Sequence, residues 1–289
     1  MLDLSNLNTV RGLLARHGIK PRKALGQNFI VNSGVCPKIA DLGGAAPGVG
    51  ALEIGPGIGV LTAQLALRCQ KVVAVELNSG LIPVLGETLK DFDNVTVIHG
   101  DILKLDLATL IKEHFGGIPV IVCANLPYYI TTPVLMALLE KKLPLVSITV
   151  MMQKETARRI SAPMPSRQAG AITAAVYWYC EPRLLFDVSR GSFFPAPDVD
   201  SSVAKLVLRD KAPLEVRDEA LLLRVVRSAF AQRRKTAVNS ISNTLGVGKE
   251  DLLDIFEKCK IDPAARGESL DMKAFARIAD ELVWFCANP

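Results

Sequence analysis

Ala51-Leu-Glu-Ile-Gly55-Pro-Gly57-Ile-Gly59 sets the reading of the whole chain. A short apolar run carries Glu53 near its end, three glycines alternate through a turn, and Val60, Leu61, Leu65 and Leu67 continue at helix-like spacing. That order reads as strand, tight loop and helix, the first unit of a doubly wound α/β sheet. Glycine is needed where the turn takes dihedrals closed to a residue with a Cβ and where a ligand must lie against bare backbone. The helix start beyond the loop presents free N–H groups to a polar ligand. A dinucleotide fingerprint, G-x-G-x-x-G/A, fails here because the frame from Gly55 puts Val60 in the last place. The loop by itself also suits a mononucleotide cradle or a plain turn.

Downstream, strand patterns alternate with helical ones, the signature of a parallel sheet with crossovers. Residues 71–75 form a second strand candidate that ends in Glu76, about 20 residues after Gly55, where a carboxylate can accept hydrogen bonds from a ribose diol. Read alone, Glu76 could equally be a helix-initiating acid before Asn78. Residues 95–98 form a third strand, followed by Asp101, which can receive an adenine amino group. Glu53 with Gly55 and Gly57, then Glu76 and Asp101, thus stand at three strand ends and describe one adenosine-shaped site. A fourth strand, 120–124, runs into Asn125-Leu126-Pro127-Tyr128 beside the same crevice, although Asn and Pro also punctuate ordinary turns. Residues 143–152, 183–188 and 202–208 supply three more strands, seven in all.

The β pattern stops around residue 210. Helical spacing follows at 221–231, 234–245, 251–258 and 270–285, with Gly246-Val-Gly248 and Asp262-Pro263 as punctuation. The expected division is a sheet domain at 1–210 and a helical domain at 211–289.

The chain has 289 residues, 49% of them hydrophobic, enough for two domains with a large core. Its net charge of +5 is unevenly placed. Residues 4–40 hold six Lys or Arg and no acid, and residues 220–249 again hold six and no acid. Either segment could be a solvated face, but two of them suit a phosphate backbone. The six cysteines are scattered without a C-x-x-C pair, and His17, His99 and His114 make no metal spacing with them, so neither a disulfide frame nor a metal site is expected. No apolar run reaches membrane length and no signal-peptide core opens the chain, which predicts a soluble cytoplasmic protein.

Several motifs carry a family resemblance. The E-x-G-x-G-x-G loop resembles motif I of class I S-adenosylmethionine-dependent methyltransferases, and Asn-Leu-Pro-Tyr resembles motif IV of those that methylate amines. Pro21-Arg22-Lys23-Ala-Leu-Gly-Gln-Asn28-Phe is similar to the opening signature of ribosomal RNA adenine dimethyltransferases. Phe193-Phe-Pro-Ala-Pro-Asp-Val-Asp-Ser201 fits the F-x-P-x-P-x-V-x-S those enzymes carry, and Phe230-Ala-Gln-Arg233-Arg234-Lys235-Thr resembles the F-x-Q-R-R-K-T of their helical domain. From 21 to about 282 the chain resembles the bacterial small-subunit enzymes, departing from them at Ile30, where Leu is more usual.

This resemblance implies a Rossmann-like seven-stranded sheet with a smaller all-α C-terminal domain, and it makes 1–210 the catalytic domain, with a segment at 1–40 that covers the cofactor. It implies S-adenosylmethionine as cofactor, held by Asn28, Ile30, Gly55, Gly57, Glu76, Asp101 and Asn125. It implies dimethylation of N6 on two adjacent adenosines near the 3′ end of 16S rRNA, within the small (30S) ribosomal subunit or its precursor, and a role in ribosome biogenesis. Asn125 and the Leu126 carbonyl would aim acceptors at the adenine amine, Pro127 would fix the turn, and Tyr128 and Phe193 would clamp the base. Arg22, Lys23, Arg233, Arg234 and Lys235 would bind RNA. A monomer is the default expectation. The rival readings are a 23S rRNA adenine methyltransferase of the macrolide-resistance type and a non-catalytic assembly factor.

Overall fold

The structure, a computed structural model, describes residues 2–21 and 26–287, with side chains to residue 283. Two compact units emerge. One comprises Met1–Ala157 and Glu181–Leu208, the other Arg158–Cys180 and Arg209–Pro289.

The first unit is built on a sheet. Its strands, in chain order, are β1 (Phe29–Ile30), β2 (Gly50–Ile54), β3 (Lys71–Glu76), β4 (Val95–His99), β5 (Val120–Asn125), β6 (Leu145–Gln153), β7 (Cys180–Val188), β8 (Phe193–Phe194) and β9 (Ser201–Leu208). Among the described residues, seven of these form one sheet in the order β4-β3-β2-β5-β6-β9-β7. The five from β4 to β6 run parallel, and β9 is antiparallel to β6. The α/β expectation with seven strands therefore holds. Every residue of β2 is buried, because helices cover both faces of a parallel sheet and leave no polar side to alternate with. The order turns back at β2, with β3 on one side and β5 on the other, and a crevice opens at the strand ends on such a reversal.

Helices α1 (Leu7–Arg16), α2 (Val35–Gly43), α3 (Val60–Ala66), α4 (Ile82–Thr88), α5 (Leu107–Phe115) and α6 (Thr131–Glu140) accompany the sheet. Several of their ends have a local cause. Asn6 and Asp106 cap α1 and α5, their side chains accepting from backbone N–H groups of the first turn, and Gly44 and Gly116 end α2 and α5 in the left-handed region. Leu61, Leu65, Ile39 and Ala40 pack with Ala51, Val72 and Ile121. Truncating one such Leu to Ala would cost roughly 2–5 kcal/mol. Strands β1 and β8 form a separate antiparallel ribbon that pairs Phe29 with Phe194 and Ile30 with Phe193.

After α7 (Lys154–Ile160), the second unit holds α8 (Ala171–Tyr179), α9 (Glu219–Ala231), α10 (Ala237–Leu245), α11 (Lys249–Lys258) and α12 (Met272–Ala287). Trp178, Val226, Ile241, Phe256, Phe275 and Ile278 are the centre of its core. Helix α10 starts at Ala237, not at Arg234 as its spacing predicts, because the Thr236 side chain accepts from Asn239 N and caps it there. Arg234 and Lys235 accordingly stand in the exposed turn before the helix. No described helix is long and apolar enough to cross a membrane.

Candidate active site

A cavity of about 460 Å³ opens in the sheet unit at the ends of β2, β3 and β5. The turn after β2 passes through Gly55, Gly57 and Gly59 with φ of 70°, 62° and 90°. A Cβ at Gly59 would sit 3.1 Å from both the Thr88 hydroxyl and a Leu89 methyl, so strain and space both select glycine.

Glu76 ends β3 inside this wall, and its side chain is fixed by backbone. Its Oε2 accepts from Gly57 N at 3.2 Å and its Oε1 from Asn78 N at 2.8 Å. Burial raises its pKa, and those same backbone bonds work against the rise by favouring the charged form. Each oxygen keeps a lone pair, so a ribose diol fits here. Asp101, beyond β4, accepts from Leu103 N at 3.0 Å and also lines the cavity. Leu77 and Leu103, 57% and 40% exposed, line it next to these acids and offer apolar faces to a flat ring. Neither is marked by the sequence, whose only sign of them is that each closely follows an acid.

Glu53 is the unusual group. It is 1% exposed, and one carboxyl oxygen has no hydrogen-bond partner among the described residues. Burial pushes its pKa up to about 8, with the Thr62 hydroxyl partly offsetting the rise and the Glu76 charge adding to it. Protonated Glu53 adds no charge to this wall, but the Glu76 and Asp101 carboxyl groups beside it suit a ligand with positive charge. Glycine turn, diol acceptor, apolar slot and acidic wall together fit a sulfonium nucleoside such as S-adenosylmethionine.

The fourth strand delivers the remaining groups. Asn125 is the last residue of β5, and its Nδ2 donates to the Asn28 carbonyl at 3.5 Å. Its Oδ1 is thereby left as the acceptor. Leu126 and Pro127 line the cavity, and the Pro127 carbonyl accepts from Ile130 N and from the Thr131 hydroxyl. Asn28 and Ile30 come to the same wall from the N-terminal segment. Gly26 approaches most closely, since a Cβ there would lie 2.8 Å from Pro127 Cβ.

Of the two aromatics expected to clamp the base, one stands beside the cavity and the other does not. Tyr128 stands beside the cavity with its hydroxyl 3.0 Å from Ser201 Oγ. Phe193 is not brought there. It is 5% exposed, pairs with Ile30 in the ribbon, and packs with Ile30, Cys36, Val188 and Val203, outside the cavity lining. Pairing to β1 turns its ring into the core. The exposed aromatic that does line the cavity is Tyr129, one residue beyond the motif.

Of the basic residues, Arg22 and Lys23 lie outside the described residues. Arg233, Arg234 and Lys235 are exposed in the helical unit. Arg233 donates to the Arg167 carbonyl at 3.2 Å and stands 4.0 Å from Glu268.

Comparison with known proteins agrees with this geometry. Residues 18–283 match the family described as ribosomal RNA adenine dimethylase. A ribosomal RNA small subunit methyltransferase A from Geobacillus thermodenitrificans is 45% identical, over 97% of this chain and 97% of its own. A protein of the same name from Bacillus cytotoxicus is 44% identical over 98% of both chains. Among solved structures, a dimethyladenosine transferase from Plasmodium falciparum superposes with a TM-score of 0.72 at 25% identity, covering 89% of this chain and 97% of that one. The 23S rRNA methyltransferase ErmE shares the fold, with a TM-score of 0.66 at 23% identity over 89% of this chain and 100% of its own.

Proposed function

The chain belongs to the ribosomal RNA adenine dimethylase family, and we propose that it transfers methyl groups from S-adenosylmethionine to N6 of two adjacent adenosines near the 3′ end of 16S rRNA. The observation that carries this reading is the convergence of the Glu76–Gly57 and Asp101 sites with the Asn125–Pro127 turn on one cavity. The former suit an adenosine, and the latter suits an amine that is to be alkylated.

An exocyclic adenine amine is a poor nucleophile because its lone pair is delocalised into the ring. Asn125 Oδ1 and the Leu126 carbonyl accept its two hydrogens, which favours a pyramidal nitrogen with a directed lone pair. When bound, S-adenosylmethionine supplies a methyl group on a positively charged sulfur. Pro127 holds the acceptors in place, so the reaction depends mainly on orientation, a contribution of up to about 7–11 kcal/mol. Methylation makes the amine proton acidic, and water suffices to remove it, in keeping with a turn that holds no His or carboxylate. Tyr128 stacks on the extruded base, an interaction worth roughly 1–3 kcal/mol. RNA loops suit this chemistry because their bases are already partly unstacked.

The substrate is the small (30S) subunit or its precursor, bound in part by the helical domain from about residue 211, and the enzyme acts as a cytoplasmic monomer in ribosome biogenesis. Mass mapping of methylated nucleosides, after undermethylated small subunits are incubated with labelled cofactor, tests the whole reading. Two methyl groups on each of two neighbouring adenosines are expected. Label in 23S rRNA, or none, would overturn it.

A further inference from the structure

Tyr129 is 57% exposed, and it is the one exposed aromatic among the described residues that line the cavity. It shares a single 3₁₀ turn, Tyr128–Ile130, with Tyr128. Successive side chains on such a turn point about 120° apart, so the two rings cannot face the same base. Tyr128 is moreover held at its far end by Ser201, whereas Tyr129 lines the cavity with more than half of its surface open to water. Phe193 lies in the core and offers no ring at this mouth. A large aromatic left in water beside the point where a nucleotide enters has an evident use, since every base presents a π face.

We propose that Tyr129 stacks on the base of the nucleotide flanking the target adenosine and so holds the RNA strand in register while the target base enters the cavity. Tyr129 is a positioning residue, and the proposal rests on the reading of the cavity as an RNA adenine methylation site. The occupant is the base of an RNA nucleotide and not the cofactor, because Tyr129 follows directly on the turn that carries the substrate acceptors, while the ribose and adenine acceptors of the cofactor, Glu76 and Asp101, stand at the ends of β3 and β4.

The test is steady-state methylation of undermethylated small subunits by wild type, Tyr129→Ala and Tyr129→Phe, with cofactor affinity measured in parallel. Tyr129→Ala should raise the KM for subunits roughly 5- to 150-fold, the range for removal of one base stack, with a smaller change in kcat. Rescue by Tyr129→Phe is expected, because the ring is kept. Subunits reconstituted from rRNA that lacks the flanking base should show the same weakening with wild type and little further weakening with Tyr129→Ala. An unchanged KM, equal penalties for the missing base in both enzymes, or a fall in cofactor affinity alone would each overturn the stack. Failure of wild type to methylate adenosine at all would instead overturn the underlying reading.

Discussion

Asn125 Nδ2 donates to the backbone carbonyl of Asn28 at 3.5 Å, so the amide at the end of β5 is oriented by a segment that lies 97 residues earlier in the chain. Because the nitrogen faces Asn28, the oxygen is the atom offered to substrate. The covering segment is therefore part of the acceptor geometry as well as of the cofactor wall.

Asn125→Ala should leave cofactor affinity within a few-fold of wild type and lower single-turnover methyl transfer by about 10²–10³, the usual cost of one pre-placed polar partner. Asn125→Asp should also lose activity, since a carboxylate oxygen would meet the Asn28 carbonyl without a hydrogen to share. Unimpaired transfer by either variant removes Asn125 from its role.

Gly26 tests the same junction from the other side. Its φ is +61°, and a Cβ would lie 2.8 Å from Pro127 Cβ and 3.2 Å from Pro127 Cα, both in a rigid ring. Gly26→Ala should cost about 1–2 kcal/mol from the left-handed backbone alone, and the clash should push the covering segment off the Asn-Leu-Pro-Tyr turn. Thermal unfolding should show a fall of a few degrees, with transfer reduced beyond what stability explains. Gly12 provides the opposite sign. It lies inside α1, where a methyl group would meet only Arg16 Nη1, at 3.9 Å, so Gly12→Ala should stabilise by about 0.5–1 kcal/mol. Destabilisation of equal size at both sites would refute this account of Gly26.

The sheet is legible in the sequence because β2, β3 and β5 are short, mostly apolar runs with a functional residue at or next to the end: Glu53, Glu76, and Asn125 with its turn. What the sequence conceals is local in a different way. The β1–β8 ribbon is two residues long on each side, too short for any period to show, yet it is what draws Phe193 into the core. Spacing places the start of α10 too early because its charged approach continues the helical pattern, and only the Thr236 cap reveals the break. Membership of Arg158–Cys180 in the helical unit is hidden by its position between two strands, since sequence order says nothing of which core Trp178 joins. Tyr129 escapes notice because it follows a motif that ends at Tyr128.

Glu53 should give stability a pH dependence. Its pKa is raised from 4.5 to about 8, chiefly by burial, so the folded protein holds a proton that the unfolded chain releases between those values. Stability of the cofactor-free protein should consequently fall as pH rises through that window, by up to about 1.4 kcal/mol per unit from this group, and level off above it. Glu76, also raised by burial, contributes in the same direction. Glu53→Gln keeps the shape and removes the titration. Urea unfolding at pH 6 and pH 8.5 should show a smaller decline for the variant, and parallel declines would rule out a protonated Glu53.

Charge reversal at Arg233, Arg234 and Lys235 separates an RNA surface from a structural turn. The three side chains are exposed ahead of α10, and the turn itself is held by backbone, with Lys235 N donating to Gln232 O at 2.8 Å and Ala237 N to Ala265 O at 2.8 Å. Reversal should therefore leave the fold intact, apart from the Arg233–Arg167 and Arg233–Glu268 interactions, which are solvent-facing and worth little. If the three bind phosphates, subunit affinity should fall at least about 10-fold at moderate salt, and the dependence of log K on log salt should flatten by roughly 0.7–0.9 for each phosphate no longer neutralised. Cofactor affinity should be unaffected, because every described residue that lines the cavity belongs to the sheet unit. A fall in cofactor binding, or weaker subunit binding with the salt slope unchanged, would make the segment structural and leave the RNA surface to be sought elsewhere.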